Sequence, residues 1–279
     1  MICEEEADEM KRIDAHIHFR AGGHFDVLAE RAGHINSEEH LREVFAAEGI
    51  VHAVVMSNLN RDRGGMPFPD FASYCAGIDR AALDPESAAA YLDLTEEHLR
   101  SETCVGLKIY AGCTSYELTD PGYTPYYELA EKYDKPVAVH TGVTAHANAL
   151  LRYSHPLQID AAAVAFPKVR FVMCHIGNPW LMDAAAVLEK NDNVSADLSG
   201  LLVGKINLPD YLDRLSGYVE QLKTWIAYVE NYEKFMYGTD WPLAGINEYI
   251  RLVEHIIPEK YHELVFYENA RNIYKLKCE

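Results

Sequence analysis

Two histidines, His16 and His18, stand two residues apart in a short apolar segment near the start of the sequence. Side chains alternate between the two faces of a β-strand, so a strand here would place both imidazoles on one face. Their Cα atoms would then lie roughly 6.5–7 Å apart, close enough for both rings to reach one cation. Imidazole nitrogens bind Zn²⁺ at about 2.0–2.1 Å, and the pair therefore predicts a metal site.

Four more residues that can bind metal ions or carry protons stand at the ends of other β-branched segments: Lys108, His140, His175 and Asp240. The carboxyl ends of parallel strands meet at one edge of a barrel, so we expect these side chains to converge with the histidine pair. Imidazole together with carboxylate suits a borderline divalent cation. The set predicts a catalytic metal site, although Lys108 is equally well explained as an ion-pair partner in the interior.

Eight short segments rich in β-branched residues alternate along the chain with longer amphipathic segments. In the first, Ile13, Ala15, Ile17 and Phe19 share one face, and we expect that face to pack under helices while the histidine face points into the interior. The predicted strands are Arg12–Phe19, Val51–Ser57, Ala72–Ile78, Val105–Tyr110, Val137–His140, Arg170–His175, Asn193–Leu198 and Phe235–Thr239.

Between these strands, apolar residues recur at helical spacing, and Ser37 is a typical N-cap before the acidic first turn of one such helix. Eight strands alternating with helices indicate the α/β class and a (β/α)₈ TIM barrel, which we predict as a single domain over residues 1–279. A doubly wound sheet is the competitor, but Gly22-Gly23 lacks the third glycine of a dinucleotide-binding loop. The other predicted helices are Pro85–Arg100, Pro125–Tyr133, Trp180–Glu189, Pro209–Val229, Ile246–Ile256 and Glu259–Tyr274.

Composition excludes several classes of protein. Of the 279 residues, 49% are hydrophobic and 24% are charged, which is ordinary for a soluble globular chain. The formal net charge of −18 disfavours nucleic acid and anionic membranes as partners. An acidic N-terminus disfavours a signal peptide, and six cysteines without a CxxC pair indicate reduced thiols, so we expect a cytoplasmic protein.

Taken together, the motifs resemble the amidohydrolase superfamily, and most closely a metal-dependent hydrolase of the amidohydrolase-2 type. The resemblance extends from residue 12 to residue 274, and the motifs follow the order in which the family carries them. The matching segments are Ile13-Asp14-Ala15-His16-Ile17-His18-Phe19, Gly106-Leu107-Lys108-Ile109-Tyr110, Val139-His140-Thr141-Gly142, Cys174-His175-Ile176-Gly177-Asn178-Pro179-Trp180, Asp197-Leu198-Ser199-Gly200, Tyr237-Gly238-Thr239-Asp240-Trp241-Pro242 and Asn269-Ala270-Arg271-Asn272-Ile273-Tyr274.

The resemblance implies a ligand set for the metal. His16 and His18 match the ligands on strand one, and His140 matches the ligand on strand five. Asp240 matches the strand-eight carboxylate, which in this superfamily both contacts the metal and carries a proton. The resemblance thus implies a divalent metal cofactor, for which we expect Zn²⁺.

Two further positions decide whether one or two ions bind. His175 matches the strand-six histidine, which orients or deprotonates the attacking water in mononuclear relatives and binds the second metal in binuclear ones. Lys108 stands where dihydroorotase-like relatives carry a carboxylated lysine that bridges two metals. The resemblance leaves both arrangements open.

The resemblance also implies a reaction in which His175 or Asp240 takes a proton from a water activated by the metal. We expect cleavage of an ester, lactone or amide bond in a small molecule. The alternative is non-oxidative decarboxylation of a small carboxylic acid, but decarboxylases of this type usually carry long insertions after strand one and lack a lysine like Lys108. A metal-binding barrel without catalysis is the third reading.

Specificity is expected from the loops that follow the strands. Arg20, Asn58 and Trp180 are the candidate substrate contacts, although a solvated surface charge is the more common explanation of the first and ordinary packing is the alternative for the last. The segment 61–65, which contains two arginines and two glycines, is a candidate lid. The expected partners are a small-molecule substrate and a second copy in a homodimer.

Overall fold

The computed structural model describes residues 10–20, 22–57 and 68–278. They contain one eight-stranded sheet in which every strand pairs in parallel with the next in the chain. This order confirms the predicted (β/α)₈ TIM barrel. The strands are β1 Arg12–Ile17, β2 Ile50–Met56, β3 Ala72–Ile78, β4 Cys104–Ile109, β5 Val137–His140, β6 Phe171–Cys174, β7 Val194–Asp197 and β8 Phe235–Met236.

The first and last strands meet and close the barrel. The Ala15 amide donates to the Tyr237 carbonyl at 3.0 Å, and the Asp240 amide donates to the His16 carbonyl at 2.8 Å. The His18 amide donates to the Trp241 carbonyl at 2.7 Å. Because this seam carries His16, His18 and Asp240, closure of the barrel itself brings these three residues together.

Helices follow the strands around the barrel. The sequence predicted Ile246–Ile256 to the residue, but the predicted helix Pro209–Val229 breaks at Leu215 into two. The predicted helix Glu259–Tyr274 is also divided, with a π-helical turn at Leu264–Glu268 before the last α-helix. The helices are α1 His24–Ala32, α2 Glu38–Ala47, α3 Ala88–Arg100, α4 Ala111–Thr114, α5 Thr124–Lys132, α6 Leu151–Ser154, α7 Leu157–Ala165, α8 Leu181–Lys190, α9 Leu208–Arg214, α10 Ser216–Tyr228, α11 Ile246–Ile256 and α12 Asn269–Tyr274.

Within the described ranges, no helix has both the length and the apolar character that crossing a lipid bilayer requires.

Apolar side chains form two layers, one inside the barrel and one between the strands and the helices. Along β2, Val54 belongs to the inner layer and Val55 to the outer one, as strand alternation requires. Strand β1 departs from the prediction, because Ile13 and Ala15 lie in the inner layer and only Ile17 is in the outer one. The pairing of β1 with β2 shifts register between Asp14 and Ile17, and this irregularity interrupts the alternation.

Candidate metal centre

Three donor groups converge where β1 meets the segment after β8. His16 Nε2 lies 3.4 Å from Asp240 Oδ1, and His18 Nε2 lies 3.2 Å from the same oxygen. His16 is fully buried, while the side chains of His18 and Asp240 keep 14% and 10% of their surface exposed. The group is therefore enclosed on the barrel side and open at its mouth.

The second ring nitrogen of each histidine has a defined partner. His16 Nδ1 lies 2.9 Å from Asp197 Oδ2, and His18 Nδ1 lies 3.1 Å from the Met56 carbonyl oxygen. An ionised carboxylate and a carbonyl only accept hydrogen bonds, so Nδ1 carries the proton in both rings. Each Nε2 atom is thereby left with its lone pair, which is the tautomer a metal ligand needs.

The donor atoms fit a divalent cation. Two ligands of a tetrahedral Zn²⁺ site, each about 2.0–2.1 Å from the ion, stand roughly 3.3 Å from one another. The distances from Asp240 Oδ1 to the two Nε2 atoms match that spacing. Among the described residues, His16 Nε2 and Asp240 Oδ1 are buried and have no hydrogen-bond partner, an arrangement that costs free energy unless a ligand satisfies them.

His140 and His175 form a second contact at the same mouth. His140 Nδ1 lies 3.1 Å from His175 Nε2, and the ring centroids of His175 and His16 are 4.7 Å apart. His140 Nε2 is buried without a hydrogen-bond partner in the part of the chain that the structure describes. The structure thus brings His16, His18 and Asp240 within 4.8 Å of one another, whereas His140 lies outside that group and is joined to His16 through His175.

Burial sets the ionisation of these groups. It lowers the pKa of His16 to about 4 and lowers the pKa of His140 well below its ordinary value. Burial alone would raise the pKa of Asp240, but the surrounding histidines bring it well below its usual range, so the carboxylate is ionised. Neutral imidazoles and an ionised carboxylate are the forms that bind a metal ion.

Asp197 is a site residue that the sequence reasoning missed. Its fully buried carboxylate accepts from His16 Nδ1 at 2.9 Å, from the His175 amide at 3.0 Å and from the Ser199 amide at 3.1 Å. The Ser199 hydroxyl donates to the same group. Asp197 ends β7, so it could have been found by the rule that identified the other strand-end residues.

Two of the candidate site residues have a left-handed backbone conformation. His175 and Asp240 have φ angles of 63° and 62°, and Ile176 has a φ of 45°. Left-handed backbone is costly for residues other than glycine, and most of all for a β-branched one, unless the surroundings hold it in place. The Thr141 hydroxyl supplies such support, since it donates to the Cys174 carbonyl and accepts from the Gly177 amide at 3.1 Å.

Asp14 supports the seam between β1 and β8. Its carboxylate accepts from the Thr239 hydroxyl at 2.6 Å, from the Thr239 amide at 3.0 Å and from the His16 amide at 3.2 Å. Burial raises the pKa of Asp14 to about 7. Asp14 thus holds the backbone of two segments that carry candidate ligands, one on each side of the seam.

Lys108 does not form the interior ion pair that we considered. Its fully buried Nζ lies 2.8 Å from Cys174 Sγ and 5.1 Å from the centre of the Tyr110 ring. No carboxylate of the described residues lies within ion-pair distance of Nζ. Lys108 therefore sits under the site in contact with a thiol.

The predicted substrate contacts do not form a cluster as the candidate metal ligands do. Arg20 is exposed at the end of the segment that carries His18, and Trp180 packs against His155 with ring centroids 4.8 Å apart. Asn58 and the candidate lid at 61–65 lie outside the described residues. Tyr110 was not predicted as a site residue, and its ring centroid lies 6.4 Å from that of His18 and 6.2 Å from that of His140.

Comparison with known proteins identifies the family. The family model described as amidohydrolase, of the amidohydrolase-2 type, matches residues 13–276. The chain belongs to the amidohydrolase family. Members of this family are usually metal-dependent enzymes that act on small molecules, which agrees with the group of donors at the mouth of this barrel.

Solved structures share the fold of this amidohydrolase. An uncharacterised TIM-barrel protein from Bordetella bronchiseptica has a TM-score of 0.69 at 19% identity, over 95% of this chain and 98% of that one. A putative 2-pyrone-4,6-dicarboxylic acid hydrolase from Pseudomonas putida has a TM-score of 0.65 at 16% identity, over 97% and 99%. For the 5-carboxyvanillate decarboxylase of Sphingomonas paucimobilis the values are 0.62 and 13%, over 96% and 100%. No curated protein sequence matches the chain significantly.

Proposed function

We propose that this amidohydrolase is a metal-dependent hydrolase that cleaves an ester, lactone or amide bond in a small molecule. The observation that carries the proposal is the meeting of His16 Nε2, His18 Nε2 and Asp240 Oδ1 within 4.8 Å of one another. Two of these atoms, His16 Nε2 and Asp240 Oδ1, are buried and lack a hydrogen-bond partner among the described residues. A bound cation would provide both atoms with a partner.

His16, His18 and Asp240 would hold the ion, and His140 would complete the set. Three imidazoles and one carboxylate would suit Zn²⁺. When bound, the ion would act as a Lewis acid and lower the pKa of a water molecule toward neutrality. Metal analysis of the His16→Ala variant tests these assignments.

Asp240 is the residue that we assign to proton transfer. Its carboxylate is ionised and stands at the open side of the site, so it can accept a proton from the attacking water and return it to the leaving oxygen or nitrogen. His175 already contacts Ser199 through Nδ1 and His140 through Nε2. We therefore assign His175 to orienting the site.

The surroundings of Lys108 favour one bound ion over two. A carboxylated lysine would have to reach two ions, whereas Nζ of this fully buried side chain contacts Cys174 Sγ at 2.8 Å. We propose that Lys108 remains an unmodified amine and that each chain binds one divalent ion.

Non-oxidative decarboxylation of a small carboxylic acid is the second candidate. The fold similarity to a 5-carboxyvanillate decarboxylase favours it, and so does similarity to a 2,6-dihydroxybenzoate decarboxylase at a TM-score of 0.66 and 15% identity. In that reaction Asp240 would deliver a proton to carbon in place of oxygen or nitrogen. The two reactions need the same residues and differ in what leaves the substrate.

An assay of zinc-loaded protein on small lactones, esters, amides and aromatic or unsaturated carboxylic acids separates the candidates. Hydrolysis consumes base on the lactones and esters and gives mass-resolved products on the amides, whereas decarboxylation releases carbon dioxide. We expect hydrolysis products, lost in Asp240→Asn and retained in Asp192→Asn, which changes an exposed aspartate. Carbon dioxide as the sole product, or full hydrolysis by Asp240→Asn, would contradict the proposal.

A further inference from the structure

A chain of hydrogen bonds connects the buried carboxylate of Asp197 to His175. The Ser199 hydroxyl contacts Asp197 Oδ1 and lies 2.8 Å from His175 Nδ1. A hydroxyl has a single proton to donate, and an ionised carboxylate only accepts. Ser199 therefore donates to Asp197 and accepts from His175, which places the His175 proton on Nδ1.

The position of the proton on His140 follows from its hydrogen bond with His175. With its proton on Nδ1, neutral His175 has a lone pair on Nε2, and that atom faces His140 Nδ1 at 3.1 Å. The contact is a hydrogen bond only if His140 Nδ1 carries a proton. His140 Nε2 then has a free lone pair, and this is the atom that is buried without a hydrogen-bond partner within the described ranges.

We propose that Ser199 is a positioning residue whose hydroxyl, held by Asp197, fixes the tautomers of His175 and His140 so that His140 offers Nε2 to the metal ion. The inference rests on the proposed function in that it takes His140 as a ligand. It assigns Ser199 a role and removes His175 from the ligand set, whereas a second ion between His140 and His175 would require lone pairs on both facing nitrogens.

Loss of the Ser199 hydroxyl has a defined consequence. His175 Nδ1 would lose its acceptor, and the ring could move its proton to Nε2. That proton would then be donated to His140 Nδ1, and the proton of His140 would be displaced to Nε2, the proposed ligand atom. Loss of a partner that orients a ligating imidazole typically weakens metal affinity about 10–100-fold, and we expect a loss in this range for Ser199→Ala.

The groups packed around His175 leave its ring little freedom to move. Its amide donates to Asp197 at 3.0 Å, and a Cβ atom at Gly200 would lie 2.7 Å from His175 Nδ1. Asp197 thus holds both the backbone of His175 and, through Ser199, one edge of its ring. The ring is fixed independently of any bound ion.

Nitrogen-15 NMR of the metal-free protein, with labelled histidine, reads the tautomers directly. We expect His175 and His140 each to carry the proton on Nδ1 in the wild-type chain. In Ser199→Ala we expect the two rings to leave that state and Zn²⁺ affinity to fall 10–100-fold. Ser195→Ala, which removes a hydroxyl from β7, the strand that precedes Ser199, is the matched control and should change neither.

A proton on His140 Nε2 in the wild-type chain would overturn the proposal whether or not Ser199→Ala folds. Unchanged tautomers and Zn²⁺ affinity in a folded Ser199→Ala would also overturn it. ¹¹³Cd coupling to His140 Nε2 with none to His175 supports it, and coupling to His175 contradicts it. Because the tautomers are read without substrate or metal, failure of the proposed hydrolysis leaves this test intact.

Discussion

Asp197 accepts a hydrogen bond from His16 Nδ1 at 2.9 Å, and neither side chain is exposed to solvent. The contact joins the end of β7 to the end of β1 across the mouth of the barrel. A carboxylate behind a ligating imidazole fixes its tautomer and makes the opposite nitrogen more basic. Asp197 also accepts from the backbone of His175, so one buried carboxylate contacts two of the candidate site histidines.

The first prediction follows from this contact. Asp197→Asn should lower Zn²⁺ affinity about 10–100-fold, because an amide does not polarise His16 as a carboxylate does and its NH₂ group competes for the same bonds. Competition titration with a metal-responsive dye measures the change. Asp192→Asn should bind as the wild type does, and equal affinities in both variants would contradict the role given to Asp197.

The second prediction concerns stability. A ligand at 100 times its dissociation constant stabilises the folded state by about 2.7 kcal/mol, so chelation should lower the melting temperature and Zn²⁺ should restore it. His16→Ala should remove most of this response, whereas His255→Ala, which changes an exposed histidine, should keep it. Differential scanning calorimetry with and without Zn²⁺ gives the answer. A full Zn²⁺ response in His16→Ala would contradict the assignment.

The third prediction addresses the number of ions. If Lys108 is an unmodified amine, the metal content should be one ion per chain whether the protein is prepared with or without carbon dioxide. Lys108→Met, which keeps an unbranched side chain one atom shorter and removes the amine, should bind the same amount. Elemental analysis measures both. Two ions per chain, or loss of an ion in Lys108→Met, would contradict the proposal of a single ion and an unmodified lysine.

Much of the fold could be predicted because it depends on local patterns. Strands β3 and β5 matched the predicted bounds, since each is a short apolar segment between clear breaks. Helix α7 was not predicted, because its sequence is apolar nearly throughout and offers no helical periodicity. The inner position of Ile13 could not be predicted either, since it follows from a register shift between two strands.

In the candidate site, too, some features could be predicted from the sequence and others could not. His16, His18, His140, His175 and Asp240 could be predicted because residue type and strand-end position are visible in the sequence. The contacts that fix their tautomers could not, since Asp197 and His16 are separated by 181 residues and meet only when the barrel closes.

The fourth prediction tests the packing behind His175. Gly200 has a φ of +67°, and a Cβ there would lie 2.7 Å from His175 Nδ1. Gly200→Ala should therefore cost about 1–2 kcal/mol of stability from the backbone alone and should displace the His175 ring. Gly217→Ala is the matched control, since nothing lies within 4 Å of its Cβ, and it should leave stability unchanged or higher. Urea unfolding compares the two, and equal stabilities would contradict the prediction.

The central claim is that a single divalent ion lies among His16, His18, His140 and Asp240. Anomalous X-ray diffraction at the zinc absorption edge, on crystals of zinc-loaded protein, locates the ion most directly. The account predicts one anomalous peak per chain, within about 2.0–2.2 Å of His16 Nε2, His18 Nε2, His140 Nε2 and an oxygen of Asp240. A peak elsewhere, two peaks, or a peak bound to His175 would contradict it.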